Sequence, residues 1–411
     1  MAAKIQFFLL AGLLFSGSFA HAAAAPQLPE PSGPFGIGRV GYDWTDASRP
    51  DRFSSDPKAH RELMVYLWYP TSPKPADAHG IYLAGAKQMD ADPNVQQVMR
   101  EGYGDNWPLI VSNAIYSHAV DNAPPAKALK QFPVITLSHG LGGSGFGYTA
   151  LIEALVSHGY VVAAIEHTGT PGAVVFPDGR IVRQHRDSPP AGLSPAESFQ
   201  RMVKQIGDGI EEGAGDVRFV LNRLTELNAG GRQQFLLAGR LDLNRVAAMG
   251  HSAGAEFAAL ACERDARFKA CVDLDGAMVP IGALPEPPDG AVIQQPLLFL
   301  EAFHPESNMG GTHEEHLAFF KKKEAQLENC PKGSYAVVLN PPGMMHGSFS
   351  DTYLLEAGSD AAKIAVARHN LDLMEEYILA FLDKNLMHTS APLLDAPDAD
   401  HPEATVHRLG H

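Results

Sequence analysis

Ser252 lies in Gly250-His251-Ser252-Ala253-Gly254, a spacing that suits a serine nucleophile for acyl transfer. A serine hydroxyl is a weak nucleophile on its own. It needs a base to take its proton, an acid to orient that base, and donors for the charge that develops on the attacked carbonyl oxygen. Glycines on either side lack the β-carbon that would clash in a sharp reversal, so the serine can be held at the tip of a strained turn. In a chain with 39 glycines such a pentapeptide also arises by chance. Its context gives it meaning: the apolar run Val246-Ala247-Ala248-Met249 precedes it and the helix formers from Ala255 to Cys262 follow, which predicts a strand, a tight turn and a helix.

The remaining parts of such a site are all present. Phe132 to Leu137 reads as a buried strand running into Ser138-His139-Gly140-Leu141-Gly142-Gly143, after which Tyr148 to His158 reads as a helix. That turn and the elbow predict an oxyanion hole made by the backbone N–H groups of Leu141 and Ala253. Tyr335 to Leu339 reads as a strand leading to a loop with Pro341, Pro342, Met344, Met345 and His346. His346 falls after the last strong strand signal, where the order serine, acid, histidine of the α/β-hydrolases places the base. Three acids compete for the middle position. Asp273 and Asp275 share one face of the strand-like run Ala270 to Gly276, and Glu301 ends the next apolar run, Leu297 to Leu300.

These residues resemble the platelet-activating factor acetylhydrolases, a family with secreted, intracellular type II and bacterial members. The likeness covers most of the chain after its leader. It rests on Gly33-Pro34-Phe35 with Val40-Gly41, Leu67-Trp68-Tyr69-Pro70, Ser138-His139-Gly140-Leu141-Gly142, and Ser157-His158-Gly159-Tyr160 leading to Glu166-His167. It continues through the elbow, Leu274-Asp275-Gly276-Ala277-Met278 and the segment from His346 to Phe349. The resemblance implies Ser252 as nucleophile, Asp275 as orienting acid, His346 as general base, and Leu141 with Ala253 as oxyanion donors. It also implies calcium-independent hydrolysis of short or oxidised acyl esters. Ala253 is smaller than the residue many members carry there, so no acyl-length preference is implied.

The elements that must position these groups read as an α/β-hydrolase fold: a mostly parallel central sheet flanked by helices, with an excursion over the active site. Pro26 to Pro73 holds the early strands, and 81–130 mixes Tyr103, Trp107, Tyr116 and His118 with turn residues, as expected of a pocket-shaping excursion. Helical spacing recurs in Val203, Ile206, Ile210, Val217, Val220 and Leu221, and again in Leu371, Met374, Ile378 and Phe381. Met344, Met345, Met278 and Phe349 offer an apolar pocket wall or ordinary core. The fold domain is expected to span 23–388, with 389–411 a flexible tail lacking periodicity.

Lys4, the apolar stretch Ile5 to Phe19 and Ala20-His21-Ala22 read as a secretory signal peptide over 1–22, cleaved near Ala23, and hence a periplasmic or secreted protein. That stretch is shorter than the roughly 20 residues a bilayer core demands, so no integral membrane span is expected. In an oxidising compartment the three cysteines allow one disulfide, and Cys262 with Cys271 is the expected pair; the alternative is three buried thiols. With 45% hydrophobic and 19% charged residues, the 411-residue chain can bury one large core. A formal charge of -15 argues against nucleic acid or an anionic membrane as the main partner, and the serine site calls for a small-molecule ester or lipid. Nothing in the composition speaks to oligomeric state.

Three other classes compete. Gly140-Leu141-Gly142-Gly143-Ser144-Gly145 fits the Gly-x-Gly-x-x-Gly of a dinucleotide site, with Glu166 ending the next strand, yet it leaves the elbow unexplained. His313 and His316 flank Glu314 and Glu315, but the spacing is not that of a zinc helix and a solvated face is the better reading. A non-catalytic hydrolase-like binder is the third possibility. The favoured reading calls for no cofactor and no metal.

Overall fold

The computed structural model describes residues 25–54, 56–72, 80–185, 195–230, 234–276, 293–303, 327–395 and 400–410. β1 (Gly36–Pro50) and β2 (His60–Thr71) form a long antiparallel pair. After them come β3 (Gly80–Ile81), α1 (Ala86–Ala91), α2 (Pro93–Tyr103), α3 (Trp107–Val111), β4 (Tyr116–Ser117) and β5 (Ala119–Asp121). The central part runs β6 (Phe132–Ser138), α4 (Thr149–Ser157), β7 (Val161–Glu166), a ribbon of β8 (Ala173–Val175) and β9 (Ile181–Arg183), α5 (Pro195–Asn228), β10 (Leu241–His251), α6 (Ala253–Arg264) and β11 (Phe268–Leu274). β12 (Leu297–Ala302) and β13 (Ser334–Leu339) follow, then helices at Asp351–Glu356 and Ala361–Leu382, then β14 (Ala404–Leu409).

Ten of these strands form one sheet in the order β14-β13-β12-β11-β10-β6-β7-β2-β1-β5. From β13 to β7 every neighbouring pair is parallel. Both faces of this block are covered, so its strands read as unbroken apolar runs where a half-exposed strand would alternate. In β10, Val246 and Ala248 join one core with Val217, Val220 and Leu224 of α5 and Phe257 of α6, whereas Ala247 and Met249 join the opposite core with Leu155 of α4 and Met374, Tyr377 and Phe381 of the Ala361–Leu382 helix. This is the mostly parallel, doubly covered sheet that the α/β-hydrolase reading predicts.

The 81–130 excursion packs Trp107, Ile110 and Ile115 into the second of these cores. The tail expected at 389–411 is corrected: Pro392–Leu394 is a short turn with Leu394 buried, and β14 pairs antiparallel with β13 from Ser334 opposite Leu409 to Leu339 opposite Ala404. An edge strand is held by main-chain hydrogen bonds, so its side chains need carry little apolar signal. Cys262 and Cys271 form a disulfide between α6 and β11, and Cys330 is buried outside that bond. No helix among the described residues is long and apolar enough to cross a membrane. The signal segment 1–22, Met278, and the His313 and His316 pair lie outside the described residues.

Candidate active site

Chain geometry forces both elbow glycines. A β-carbon on Gly250 would stand 2.0 Å from the Gly254 carbonyl oxygen, and one on Gly254 would stand 2.3 Å from that of Ser138. Ser252, between β10 and α6, has φ 55° and ψ -125°, a left-handed backbone that a side chain rarely adopts. Its N–H donates to the Leu274 carbonyl at 3.0 Å, tying the turn to the end of β11. Ser252 is half-buried.

One residue beyond β11, Asp275 also has positive φ, 53°. Its N–H donates to the Leu300 carbonyl at 2.8 Å, and its Oδ1 accepts the Ala302 N–H at 3.0 Å, so β12 fixes the carboxylate. Oδ2 then lies 2.6 Å from Nδ1 of His346. Of the other two acids, Asp273 is buried and its Oδ1 caps the turn by accepting the Gly276 N–H at 2.8 Å, while Glu301 sits within β12 opposite Val338. His346 opens a short turn, His346–Phe349, and its ring centroid is 4.6 Å from that of His251, the neighbour of Ser252. The structure therefore brings the carboxylate, the imidazole and the elbow together.

The glycine turn after β6 closes the other side. A β-carbon on Gly140 would lie 3.3 Å from the Ser252 β-carbon. The Gly140 carbonyl accepts from Gly143 N–H at 3.0 Å and from His139 Nδ1 at 2.8 Å. Because a trans peptide is planar, holding that carbonyl also aims the N–H of exposed Leu141 the opposite way. Ala253 opens α6, where an N–H has no partner within its own helix. At the start of α4, where a dinucleotide phosphate would lie, the Glu166 carboxylate already accepts Ser144 Oγ and the Gly145 N–H, each at 2.9 Å. Burial pushes the Glu166 carboxyl up to about 7 despite those donors.

Sequence reasoning passed over two residues here, His251 and Tyr148. Tyr148 Oη lies 2.7 Å from His251 Nδ1 and accepts the Gly140 N–H at 3.1 Å, and His251 Nε2 lies 3.0 Å from the His346 carbonyl. A histidine beside the elbow serine was the available signal. A second Ser–His–Asp alignment lies in the interior: Ser138 Oγ is 2.9 Å from His167 Nε2, and His167 Nδ1 is 3.0 Å from Asp216 Oδ2. All three are fully buried, and Asp216 is further held by Arg61 Nη2 at 2.6 Å. Beside the glycine turn after β6 is a cavity of 240 Å³ whose walls include Leu83, Val98, Met99, Tyr103, Gly142 and Gln184, so residues of 81–130 line this region. Of the proposed pocket wall, Phe349 is buried and Met345 exposed.

Residues 22–391 match the family described as platelet-activating factor acetylhydrolase, isoform II. The platelet-activating factor acetylhydrolase of Cavia porcellus is 26% identical over 279 residues, 64% of this chain and 59% of that protein, so the match spans under two thirds of that relative's length. A probable 1-alkyl-2-acetylglycerophosphocholine esterase of Arthroderma benhamiae is 24% identical over 408 residues, covering 92% of each chain. Among solved structures, a ferulic acid esterase from Streptomyces cinnamoneus is similar with a TM-score of 0.68 and 29% identity, covering 94% of this chain and all of that one. Since the family match runs from before β1 through the helix that follows the His346 turn, this chain belongs to the platelet-activating factor acetylhydrolase, isoform II, family.

Proposed function

We propose that this chain is a serine ester hydrolase that cleaves short-chain or oxidised acyl esters, with Ser252 as nucleophile, His346 as general base and Asp275 as its orienting acid. The observation that carries the reading is the Asp275–His346 hydrogen bond, 2.6 Å long, set against an elbow whose serine has left-handed φ. A carboxylate accepting from Nδ1 leaves Nε2 unprotonated and ready to take the Ser252 proton as the oxygen attacks the ester carbonyl. The carbonyl oxygen becomes an oxyanion bound by the Leu141 and Ala253 N–H groups, and losing one such donor costs about 3 kcal/mol of barrier. Protonated His346 then returns the proton to the departing alcohol, leaving an acyl-enzyme that water, deprotonated by the same imidazole, hydrolyses.

The relatives' names point to acetyl and aromatic acyl esters, and the 240 Å³ cavity beside the turn suits a small group on one side of the ester. Export to the periplasm or medium fits the leader-like 1–22 and a disulfide between Cys262 and Cys271, a bond that persists in oxidising compartments. Turnover of p-nitrophenyl acetate and butyrate, with a Ser252→Ala variant inert, is the expected result. Equal turnover by both proteins overturns the reading. A panel of esters varied in acyl length then separates a short-chain esterase from a lipase or polyester hydrolase.

A further inference from the structure

His251 and Tyr148 stand between three chain segments that the reaction must hold in register. The Gly140 N–H can only donate, so the Tyr148 hydroxyl accepts there and spends its own hydrogen on Nδ1 of His251. The His346 carbonyl can only accept, so Nε2 of His251 carries its hydrogen. The direction of every bond is thereby fixed: Gly140 N–H to Tyr148, Tyr148 O–H to His251, His251 N–H to the His346 carbonyl. Phe349, in the same turn as His346, stacks on the His251 ring at 5.6 Å with planes 21° apart. The base turn is thus fastened to the residue preceding the nucleophile both by a hydrogen bond and by a ring contact.

We propose that Tyr148 and His251 form a positioning relay that sets the base turn and the oxyanion turn against the Ser252 elbow. The proposal rests on the reading of Ser252 and His346 as the reacting pair. Asp275 fixes the rotation of the His346 ring through Nδ1, but a bond to the ring does not by itself fix the main chain of its turn against the elbow. The bond from His251 to the His346 main-chain carbonyl ties that main chain to the elbow directly. At its other end the relay takes up the Gly140 N–H, one peptide before the Leu141 donor. Neutrality of His251 is built in as well: its burial, followed by the neighbouring His346, pushes its imidazole down to about 3, so Nδ1 stays an acceptor at any working pH.

The test measures kcat and KM for p-nitrophenyl acetate in the full chain carrying Tyr148→Phe, His251→Phe, His251→Gln, the double Phe variant, or Ser252→Ala. A reacting group misplaced by about an ångström loses up to roughly 100-fold in rate, so His251→Phe is expected to lower kcat between about 10- and 100-fold with KM within about twofold. His251→Gln, whose amide N–H can reach the His346 carbonyl, should recover most of that loss. Tyr148→Phe should lower kcat in the same sense, and the double variant should be no slower than His251→Phe, because both residues act through one chain of bonds. A His251→Phe kcat within about twofold of the parent, no recovery with Gln, or losses that multiply in the double variant would each overturn the relay. If the Phe variant at 251 does not fold, an unchanged kcat for Tyr148→Phe overturns it alone. Activity retained by Ser252→Ala fails the esterase reading instead, and is told apart by that variant.

Discussion

Asp275 has a single rotameric task, since both its oxygens are committed, one to the Ala302 N–H and one to His346. Asparagine keeps the shape but presents an N–H to Nδ1, which forces the proton onto Nε2 and removes the base. Asp275→Asn is therefore expected to lower kcat about 10⁴-fold with little change in the thermal midpoint, read by steady-state kinetics beside calorimetry. A second residue-scale prediction concerns His251, which faces Tyr148, His346 and Asp275. Its folded value, about 3, lies below the ordinary 6.5, so the unfolded chain takes up the proton first and stability is lost as pH falls below 6.5. The parent should lose about 1.4 kcal/mol per pH unit more than His251→Gln over that range. Burial holds Glu166 and Asp351 near 7, and they act in the opposite sense in the same window, so the two proteins' urea curves at pH 6.5 and 5 must be compared as a difference. Parallel curves would rule out a neutral buried His251. The elbow at Ser252, the glycine turn at Leu141 and the loop that carries His346 were legible because turns and strand ends announce them. Which of Asp275, Asp273 and Glu301 lies against His346 could not be read from spacing, because β12 decides it by donating its Ala302 N–H to the Asp275 carboxylate.

At the scale of elements, the central strands and the two amphipathic helices were readable from apolar runs and helical spacing, whereas β14 was not, because its binding is a main-chain matter. The excursion was legible as an interruption but not as three helices, since Pro93 and Pro108 open helices that composition alone reads as turns. Its α2 lends Val98, Met99 and Tyr103 to the cavity beside the oxyanion turn. A β-carbon on Gly172 would meet Val98 Cγ1 at 3.4 Å and Met99 Sδ at 3.7 Å, ordinary contacts that leave room for a small side chain. Gly172→Val narrows the cavity without straining the backbone. It is expected to lower kcat/KM for hexanoate esters several-fold more than for acetate, with an unchanged ratio refuting the cavity as an ester-binding space.

Across the whole molecule, the same three side-chain types line up twice. Ser138, His167 and Asp216 have distances a catalytic set would accept, yet all three are buried and Asp216 is held by Arg61. Geometry alone does not make a hydroxyl reactive. A fluorophosphonate added to the folded protein should modify one serine per chain, Ser252, as read by peptide mass; adducts on residue 138 under native conditions would contradict this. What divides the two sets is admission: the outer one meets solvent and the electrophiles dissolved in it, while the inner one has had its reagents walled off and serves the fold as mortar.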